Sequence, residues 1–333
     1  MITGAQGLVG RYLTAHILGL EKESAVVGIG RSGNVPGFFT HANRGHERSP
    51  LPPDLLARFD GRYRYQRLSL HDTAGLRELI RELRPHCVFH LASALHTAPE
   101  RDLVETNIEG TASLLDAMAG SDALAILGSS GSVYGEPLSL PILESHPCNP
   151  ADMYGITKLA AEHVARIKAA RSGLAFMVAR IFNIVGPGQD ENHVCGRLAA
   201  QLASLADSRH PLLEVGPLEP TRDFIDVRDV AAGLLLLAQR GERGGTYNLA
   251  SGSETPIQFI LSELARVSGL NGRIRIARRD DRPAGVPRHF ADVSHVRRLG
   301  FVPAYSIRDS LADLFRYHEQ LAGTAQDGLA ARP

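Results

Sequence analysis

The sequence contains no tryptophan and only three cysteines, Cys87, Cys148 and Cys195. An odd number of cysteines without the paired spacing of metal sites argues against a disulfide framework and against a zinc site. We therefore expect no metal and a reducing, cytoplasmic environment. The nearest approach to a pair of metal ligands is His193 with Cys195, two residues apart.

The chain also lacks an excess of charge, a long apolar stretch and a leader-like N-terminal segment. Lys plus Arg is 36 and Asp plus Glu is 36, so the net charge is zero, which disfavours a nucleic-acid partner. No run of residues is apolar enough to predict a membrane span, and no basic segment followed by an apolar one indicates a secretory signal. These absences favour a cytoplasmic globular protein without a nucleic-acid or membrane partner.

The sequence does contain a regular alternation of apolar runs and helical patterns. Runs such as VVGIG, VFHLAS and LAILGSS are continuously apolar, as in strands that are buried on both faces. The predicted fold class is α/β, a doubly wound parallel Rossmann sheet with a smaller C-terminal α/β substrate domain. Between the second and third strands, a segment rich in Gly, Pro, Asn and His predicts a long surface loop.

The pattern loosens from about Gly186, which predicts a change of domain. The first domain is predicted to span residues 1–179 and about 224–250, and the second about 180–223 and 251–320. The small polar residues 324–333 predict a disordered tail.

In an open parallel sheet, ligands bind beyond the carboxyl ends of the strands, so the residues that follow each strand are candidates. After the first strand, Gly4, Gly7 and Gly10 predict a loop that lets a helix N-terminus approach a pyrophosphate. After the second strand, Arg31 and Ser32 stand where an acid would bind the ribose 2′-hydroxyl of NAD. The absence of an acid, and an arginine that pairs with phosphate, favour NADP there.

A tyrosine and a lysine in YGITK are spaced for a proton relay. Tyr154 and Lys158 are four residues apart in a predicted helix and therefore share one face. A chain with three lysines and 8 tyrosines rarely places them so by chance. An ammonium beside a tyrosine lowers the phenol pKa from about 10, and such a pair can exchange a proton with a carbonyl or a hydroxyl.

Many short motifs in the same order resemble the extended short-chain dehydrogenase/reductases that act on nucleotide sugars. They are TGAQGLVG, VFHLAS, TNIEGT, GSSGSVYG, ESHPCNPADMYGITK, RIFNIVGPGQ, RDFIDVRDV, YNLASG and RPAGVP. Within that group, RIFNIVGPGQ and LEVGPLEPTRDFIDVRDVA are most similar to the GDP-4-keto-6-deoxymannose reductases. The resemblance implies NADP(H)-dependent reduction of a nucleotide-linked, GDP-linked 4-keto-6-deoxyhexose at C4, in deoxysugar biosynthesis. It also implies a homodimer.

The resemblance assigns roles to residues of this chain. Ser130 would hydrogen-bond the reacting sugar oxygen, Tyr154 would exchange its proton, and Lys158 would bond the nicotinamide ribose and tune Tyr154. The implied substrate contacts are Ser130, Ser132, Asn183, Arg222 and Arg282, of which the arginines suit a diphosphate. The implied cofactor contacts are Gly4, Gly7, Leu8, Val9, Gly10, Arg31, Ser32, Ser69, Leu70, Leu91, Ala92, Ser93, Tyr154, Lys158 and Ile181. Asn107 would hold the strand ends beneath the cofactor.

Alternative activities use the same fold. Dehydratases of this group carry an acid just after the catalytic hydroxyl, where this chain has Gly131 and Ser132, so dehydration is disfavoured. A nucleotide-sugar 4-epimerase would use the same serine, tyrosine and lysine while keeping NAD bound. A regulator that senses the cofactor without turnover is a third possibility.

The first strand has little sequence in front of its glycines. Only Met1, Ile2 and Thr3 precede Gly4, and a central strand normally needs more residues to pair with both neighbours. We expect the natural chain to start roughly four to eight residues earlier, with Met1 inside the strand.

Overall fold

The computed structural model describes residues 1–43, 46–206, 208–278 and 285–330. Its strands are β1 (Ile2–Thr3), β2 (Val26–Gly30), β3 (Tyr63–Arg67), β4 (Cys87–His90), β5 (Leu124–Ser130), β6 (Phe176–Ile181), β7 (Asn183–Val185), β8 (Leu212–Val215), β9 (Thr221–Asp226), β10 (Thr246–Leu249), β11 (Glu254–Pro256), β12 (Arg275–Arg278) and β13 (Arg288–His289). Seven of them form one parallel sheet in the order β10-β6-β5-β4-β1-β2-β3. This order confirms the predicted doubly wound α/β fold, and β10 extends it beyond β6.

Helices cover both faces of this sheet, and others belong to a smaller region. The helices of the described residues are α1 (Leu8–Leu20), α2 (Pro53–Leu56), α3 (Thr73–Leu83), α4 (Glu100–Leu103), α5 (Gly110–Met118), α6 (Met153–Ser172), α7 (Val194–Ser204), α8 (Val227–Arg240), α9 (Ile257–Val267), α10 (Ser294–Arg298) and α11 (Ile307–Ala330). A π-helical turn, Val104–Glu109, joins α4 to α5, and a 3₁₀ turn, Gly131–Tyr134, follows β5. No helix among the described residues has both the length and the apolar content to cross a bilayer.

Successive residues of a strand face opposite helical layers. In β5, Ile126 lies in the core that includes α1 and α8, whereas Leu127 lies in the core that includes α3, α5 and α6. Both are buried, so neither face of the strand meets water. This explains why the strands read as unbroken apolar runs.

The segment between β2 and α2 packs more closely than a surface loop. Phe39 and Leu51 are buried, and the guanidinium of Arg11 donates to the carbonyl oxygens of Val35 and Phe38. The segment is irregular, as its composition predicts, but the expectation of a surface loop is wrong for these residues. Its apolar residues are too isolated among Gly, Pro and Asn to show a core pattern in the sequence.

The first strand is short and central. Its two residues pair in parallel with both β2 and β4. The backbone of Met1 adds to the β4 side, since its carbonyl accepts from the amide of Phe89 and its amino group donates to the carbonyl of Cys87. The ladder on that side therefore reaches Met1.

The remaining elements form a smaller region with its own core. Strand β9 pairs with β7, β11 and β13, while β8 pairs with β12. Helices α7, α9 and α11 contribute buried side chains such as Leu198, Leu264 and Leu314 to this core. The domain boundaries at 179/180, 223/224 and 250/251 stay predictions. Of the predicted tail 324–333, the backbone of α11 includes residues up to Ala330, and residues 331–333 lie outside the described part.

Candidate active site

Two cavities open at the carboxyl ends of the central strands, where the sequence places its candidates. The smaller, of about 210 Å³, lies beyond β1, β2 and β3, and the larger, of about 800 Å³, extends from the glycine loop to α6 and the smaller region. Among the predicted site residues, the smaller cavity is lined by Gly4, Gly7, Arg31, Ser32, Ser69, Leu70, Leu91, Ala92 and Ser93. The larger is lined by Gly4, Gly7, Leu8, Val9, Gly10, Leu91, Ser93, Ser130, Ser132, Tyr154, Lys158, Ile181, Asn183 and Arg222. Arg282 lies outside the described residues.

The glycine loop forms a tight turn that side chains would block. Gly4 has a φ of 66°, and a Cβ added at Gly10 would stand 2.4 Å from the carbonyl oxygen of Gly4. Gly7 is the N-cap of α1 and offers no side chain to the first amides of the helix. These amides stay available for a ligand. The cradle therefore fits the pyrophosphate of a dinucleotide.

The smaller cavity fits the ribose end of the same cofactor. The hydroxyl of Tyr65 donates to the carbonyl oxygen of Ser32 at 2.9 Å, and Nε of Arg67 donates to that of Arg31 at 3.0 Å. These bonds fix the backbone after β2, while the Arg31 residue is exposed. No carboxylate lies among the described residues that line this cavity, so it presents no group that repels a 2′-phosphate.

The catalytic candidates meet at the floor of the larger cavity. Ser130 ends β5, and its Oγ lies 3.1 Å from Oγ of Ser132. Lys158 is buried in α6, and its Nζ donates to the carbonyl oxygen of Gly128 at 2.5 Å and to Oγ of Ser93 at 3.5 Å. Burial lowers the pKa of Lys158 to about 8.

Tyr154 departs from the expectation drawn from its spacing to Lys158. Its burial raises the pKa of the phenol, and the hydroxyls of Ser130 and Ser93 act in the opposite direction. The net shift of the Tyr154 pKa is therefore upward, not downward as its spacing to Lys158 predicts, because burial outweighs the opposing effects. The ammonium is directed to Gly128 and Ser93 instead, so Tyr154 is a neutral phenol at neutral pH.

Asn107 organises the chain beneath these groups. Its Oδ1 accepts from Oγ of Ser93 at 3.0 Å and from the amide of Ala94 at 2.9 Å. Its Nδ2 donates to Oγ1 of Thr157 at 3.0 Å. The Asn107 side chain thus links the segment after β4 to α6 by hydrogen bonds. These bonds help to position α6, which carries Tyr154 and Lys158, against the sheet.

The other side of the larger cavity carries a guanidinium. Arg222, in β9, is half-buried, and its Nη1 donates to the carbonyl oxygen of Thr221 at 2.7 Å. Burial lowers its pKa, and the described residues give it no carboxylate partner. A half-buried guanidinium of this kind suits an anionic ligand. Asn183 lies beside it and donates to the carbonyl of Asp223 at 3.0 Å.

Several cavity residues were not among the sequence candidates. They are Thr40, His41, His96, Gln189, Asp190, His193 and His289. His96 follows β4 closely enough that the rule of strand ends could have found it. The others come from segments whose folding onto the site leaves no local pattern.

The chain matches a known protein family and is similar to characterised enzymes. Residues 1–250 match the profile of the NAD dependent epimerase/dehydratase family. The chain is 32% identical over 326 residues to the GDP-6-deoxy-D-mannose reductase of Pseudomonas aeruginosa, which covers 93% of each protein. It is also 32% identical over 177 residues to a UDP-glucose 4-epimerase of Streptomyces lividans, which covers 50% of this chain and 54% of that one.

A solved structure agrees with the architecture. The structure of RMD from Pseudomonas aeruginosa complexed with NADPH superimposes with a TM-score of 0.75 at 27% identity, covering 96% of this chain and 98% of that one. The architecture of this chain therefore has a counterpart that was solved in complex with NADPH.

Proposed function

Because the chain belongs to the NAD dependent epimerase/dehydratase family, we propose that it reduces the C4 ketone of a nucleotide-linked 4-keto-6-deoxyhexose with NADPH. Its relatives support the broader statement that it is an NAD(P)-dependent enzyme that modifies nucleotide sugars. The observation that carries the proposal is that Ser130, Tyr154 and Lys158 line the same cavity as the glycine loop. We also propose that the enzyme is a cytoplasmic homodimer, as the family resemblance implies.

The chain supplies the acid for such a reduction. Ser130 donates a hydrogen bond to the ketone oxygen, and Tyr154, kept neutral by its raised pKa, gives its proton to that oxygen. Lys158 lies one helical turn away and carries a charge below pH of about 8, which favours the phenolate that remains. When bound, the dinucleotide supplies the two electrons and the hydrogen that reach the sugar carbon. General acid catalysis of this kind contributes about 10²- to 10⁴-fold.

The positions of the carboxylates around the cavity are consistent with reduction and not with dehydration. Gly131 and Ser132 follow Ser130, where dehydratases need an acid. The cavity-lining carboxylates among the described residues are Asp152 and Asp190. Asp152 caps α6 by accepting from the amide of Gly155 at 2.7 Å, and Asp190 accepts from Asn192. Both have structural partners, and neither follows Ser130, where a dehydratase carries its acid.

The preference for NADPH rests on the smaller cavity. Arg31 and Ser32 stand at its mouth, and the described lining has no acid to hold a free 2′-hydroxyl. A reductase must exchange its cofactor in every turnover and gains from a phosphate that distinguishes NADPH. A relative of known structure holds NADPH.

The substrate side supports a nucleoside diphosphate linked to the sugar. Arg222 offers a half-buried guanidinium without an acidic partner among the described residues, and its planar fork matches a phosphate. The GDP group is proposed from the reductase of Pseudomonas aeruginosa, which is similar over nearly the whole chain.

A 4-epimerase is the second candidate, favoured by the similarity of half the chain to a UDP-glucose 4-epimerase. The two candidates are separated by incubating the purified protein with a panel of GDP-, dTDP- and UDP-linked 4-keto sugars plus NADPH, while absorbance and product are followed. Reduction of a GDP-linked 4-keto-6-deoxyhexose is expected. If no sugar of the panel causes NADPH to be oxidised, the proposal is contradicted.

A further inference from the structure

The residue that follows the catalytic serine faces two aromatic rings. A Cβ built on Gly131 would lie 3.2 Å from Cε1 of His289 and 3.3 Å from both Cδ1 and Cδ2 of Phe182. These three ring carbons are the heavy atoms nearest to that position. Gly131, Phe182 and His289 all line the larger cavity. Beside Ser130 the cavity is therefore bounded by Phe182 and His289, which together are called the ring wall.

His289 lies between the two ends of the proposed substrate. In the sheet it stands opposite Arg222, the proposed diphosphate contact, and its ring reaches Gly131 beside Ser130. The same ring packs against that of Phe182, with centroids 5.2 Å apart and planes at 36°. A nucleotide sugar joins its diphosphate at C1 and reacts at C4, so its ring must pass the ring wall between Arg222 and Ser130. This step rests on the proposed function.

The ring wall is uncharged and almost closed to water. Phe182 is 5% exposed and His289 is 8% exposed, so only a narrow edge of each ring meets the cavity. Burial and the charge of Arg222 lower the pKa of His289 to about 4, although its hydrogen bond to the backbone of Gly131 opposes the shift. The imidazole is therefore neutral at neutral pH, and the ring wall carries no charge.

One substituent of a 4-keto-6-deoxyhexose suits such a surface. The hydroxyls on C2 and C3 lose free energy when they are buried without a hydrogen-bond partner, whereas the methyl group of C6 gains free energy when it is removed from water. We propose that Phe182 and His289 hold the C6 methyl group and select against sugars with a hydroxyl on C6. The two residues thus determine specificity, while Ser130 and Tyr154 act on the ketone.

The ring wall also accounts for the glycine after Ser130. Carbon atoms in favourable contact are about 3.5–4.0 Å apart, so a side chain at Gly131 would begin too close to both rings. The ring wall and the acid that dehydratases carry after the catalytic hydroxyl therefore compete for the same space. A dehydratase needs that acid to protonate the hydroxyl that leaves, whereas a 6-deoxy substrate has no such hydroxyl at C6.

Selection at C6 is measured with two alcohols that differ only there, GDP-D-mannose and GDP-6-deoxy-D-mannose. Each is titrated by calorimetry into the enzyme saturated with NADPH, where neither can react because the sugar and the cofactor are both reduced. GDP alone is titrated in the same way to report on the diphosphate end. The variants are His289→Ala, which opens the ring wall, His289→Phe, which keeps an aromatic ring, and the control His163→Ala on the exposed surface of α6.

We expect the wild type to bind the 6-deoxy sugar about tenfold to a hundredfold more tightly, because a hydroxyl against the ring wall loses its hydrogen bonds to water. In His289→Ala this ratio should fall to about threefold or less, since water can enter the opened space and bind the hydroxyl. In His289→Phe and His163→Ala the ratio should stay within about twofold of the wild type, because the apolar surface remains. The affinity for GDP alone should be unchanged in all three variants.

Three results would overturn the ring wall while leaving the reductase in place. The first is equal affinity of the wild type for the two alcohols. The second is a loss of selection in His289→Phe as large as in His289→Ala, which would assign the selection to the imidazole nitrogens. The third is a weaker affinity of His289→Ala for GDP with an unchanged ratio, which would make His289 a support for Arg222.

The proposed function fails separately. A wild type that binds neither alcohol nor GDP, and reduces no GDP-linked 4-keto-6-deoxyhexose, would overturn both the ring wall and the proposed function.

Discussion

The ammonium of Lys158 donates a hydrogen bond to the carbonyl oxygen of Gly128 at 2.5 Å and not to the phenol of Tyr154. Tyr154 lies one turn earlier on the same helix. The charge is thereby fixed below the site, between β5 and α6. Tyr154 stays a neutral acid with a raised pKa. The pair is thus set to give a proton to the substrate, as a reduction requires.

Replacing Tyr154 by Phe should lower turnover by about 10²-fold or more, because the ring stays but the general acid is lost. Binding of NADPH, measured by fluorescence titration, should be unchanged, since the glycine loop and Lys158 remain. Tyr305→Phe, the same change beside Arg228 and away from the described cavity lining, should leave both quantities unchanged. Near-normal turnover of Tyr154→Phe would remove Tyr154 from the mechanism.

The pH profile of the reduction should report Lys158. Its pKa is lowered to about 8, so the ammonium is charged below that pH and loses its charge as pH rises through it. Tyr154 has a raised pKa and stays protonated over this window. We therefore expect kcat/KM to be highest below pH of about 8 and to fall above it.

The assignment of this pH step is checked with lysine variants. Lys158→Met should abolish the step along with most of the activity. Lys168→Met, on the same helix as Lys158, removes a surface ion pair with Asp116 of α5 and should keep the step. If kcat/KM of the wild type rose with pH through about 8, the role given to the Lys158 ammonium would be contradicted.

Replacing Arg222 by Ala should weaken binding of the nucleotide sugar by about 1.5–3 kcal/mol, the range for a hydrogen bond to a charged group. Calorimetric titration with the nucleotide diphosphate alone should show the same loss, while affinity for NADPH should stay unchanged. The matched variant Arg166→Ala removes an exposed arginine that bonds Thr246. If Arg222→Ala lowered the affinity for NADPH and left sugar binding intact, Arg222 would belong to the cofactor site and not to the substrate site.

Replacing Arg31 by Ala should raise the KM for NADPH about tenfold, which is about 1.4 kcal/mol and fits one partly solvated contact to a phosphate. The KM for NADH should change little, because NADH has no 2′-phosphate. Arg64→Ala, an exposed arginine on β3 with a 3.8 Å ion pair to Glu82, is the control. Equal effects on both cofactors would mean that Arg31 supports the loop and not the phosphate.

The sequence predicts the frame of this molecule well because the frame depends on local patterns. Apolar runs give the strands, the rule of strand ends finds Gly4 and Arg31, and the family resemblance supplies Ser130. All of these lie where a parallel sheet must place them.

The sequence could not predict relationships that depend on distant segments. The direction of the Lys158 ammonium is decided by the carbonyl of Gly128, 30 residues away, and a helical spacing contains no information about it. His193 reaches His96 only because α7 begins at the cavity. Phe39 is buried in a segment whose composition predicts a surface loop.

We propose that this site reduces a sugar ketone with NADPH that exchanges in every turnover. The most direct measurement incubates the purified protein with GDP-4-keto-6-deoxymannose and NADPH that carries deuterium at the transferable nicotinamide position, and determines the mass and structure of the sugar product. We expect one deuterium at C4 of the product for each NADPH oxidised, and little tightly bound NAD in the purified protein. Stoichiometric bound NAD, with sugar interconversion that needs no added cofactor and incorporates no deuterium, would contradict it.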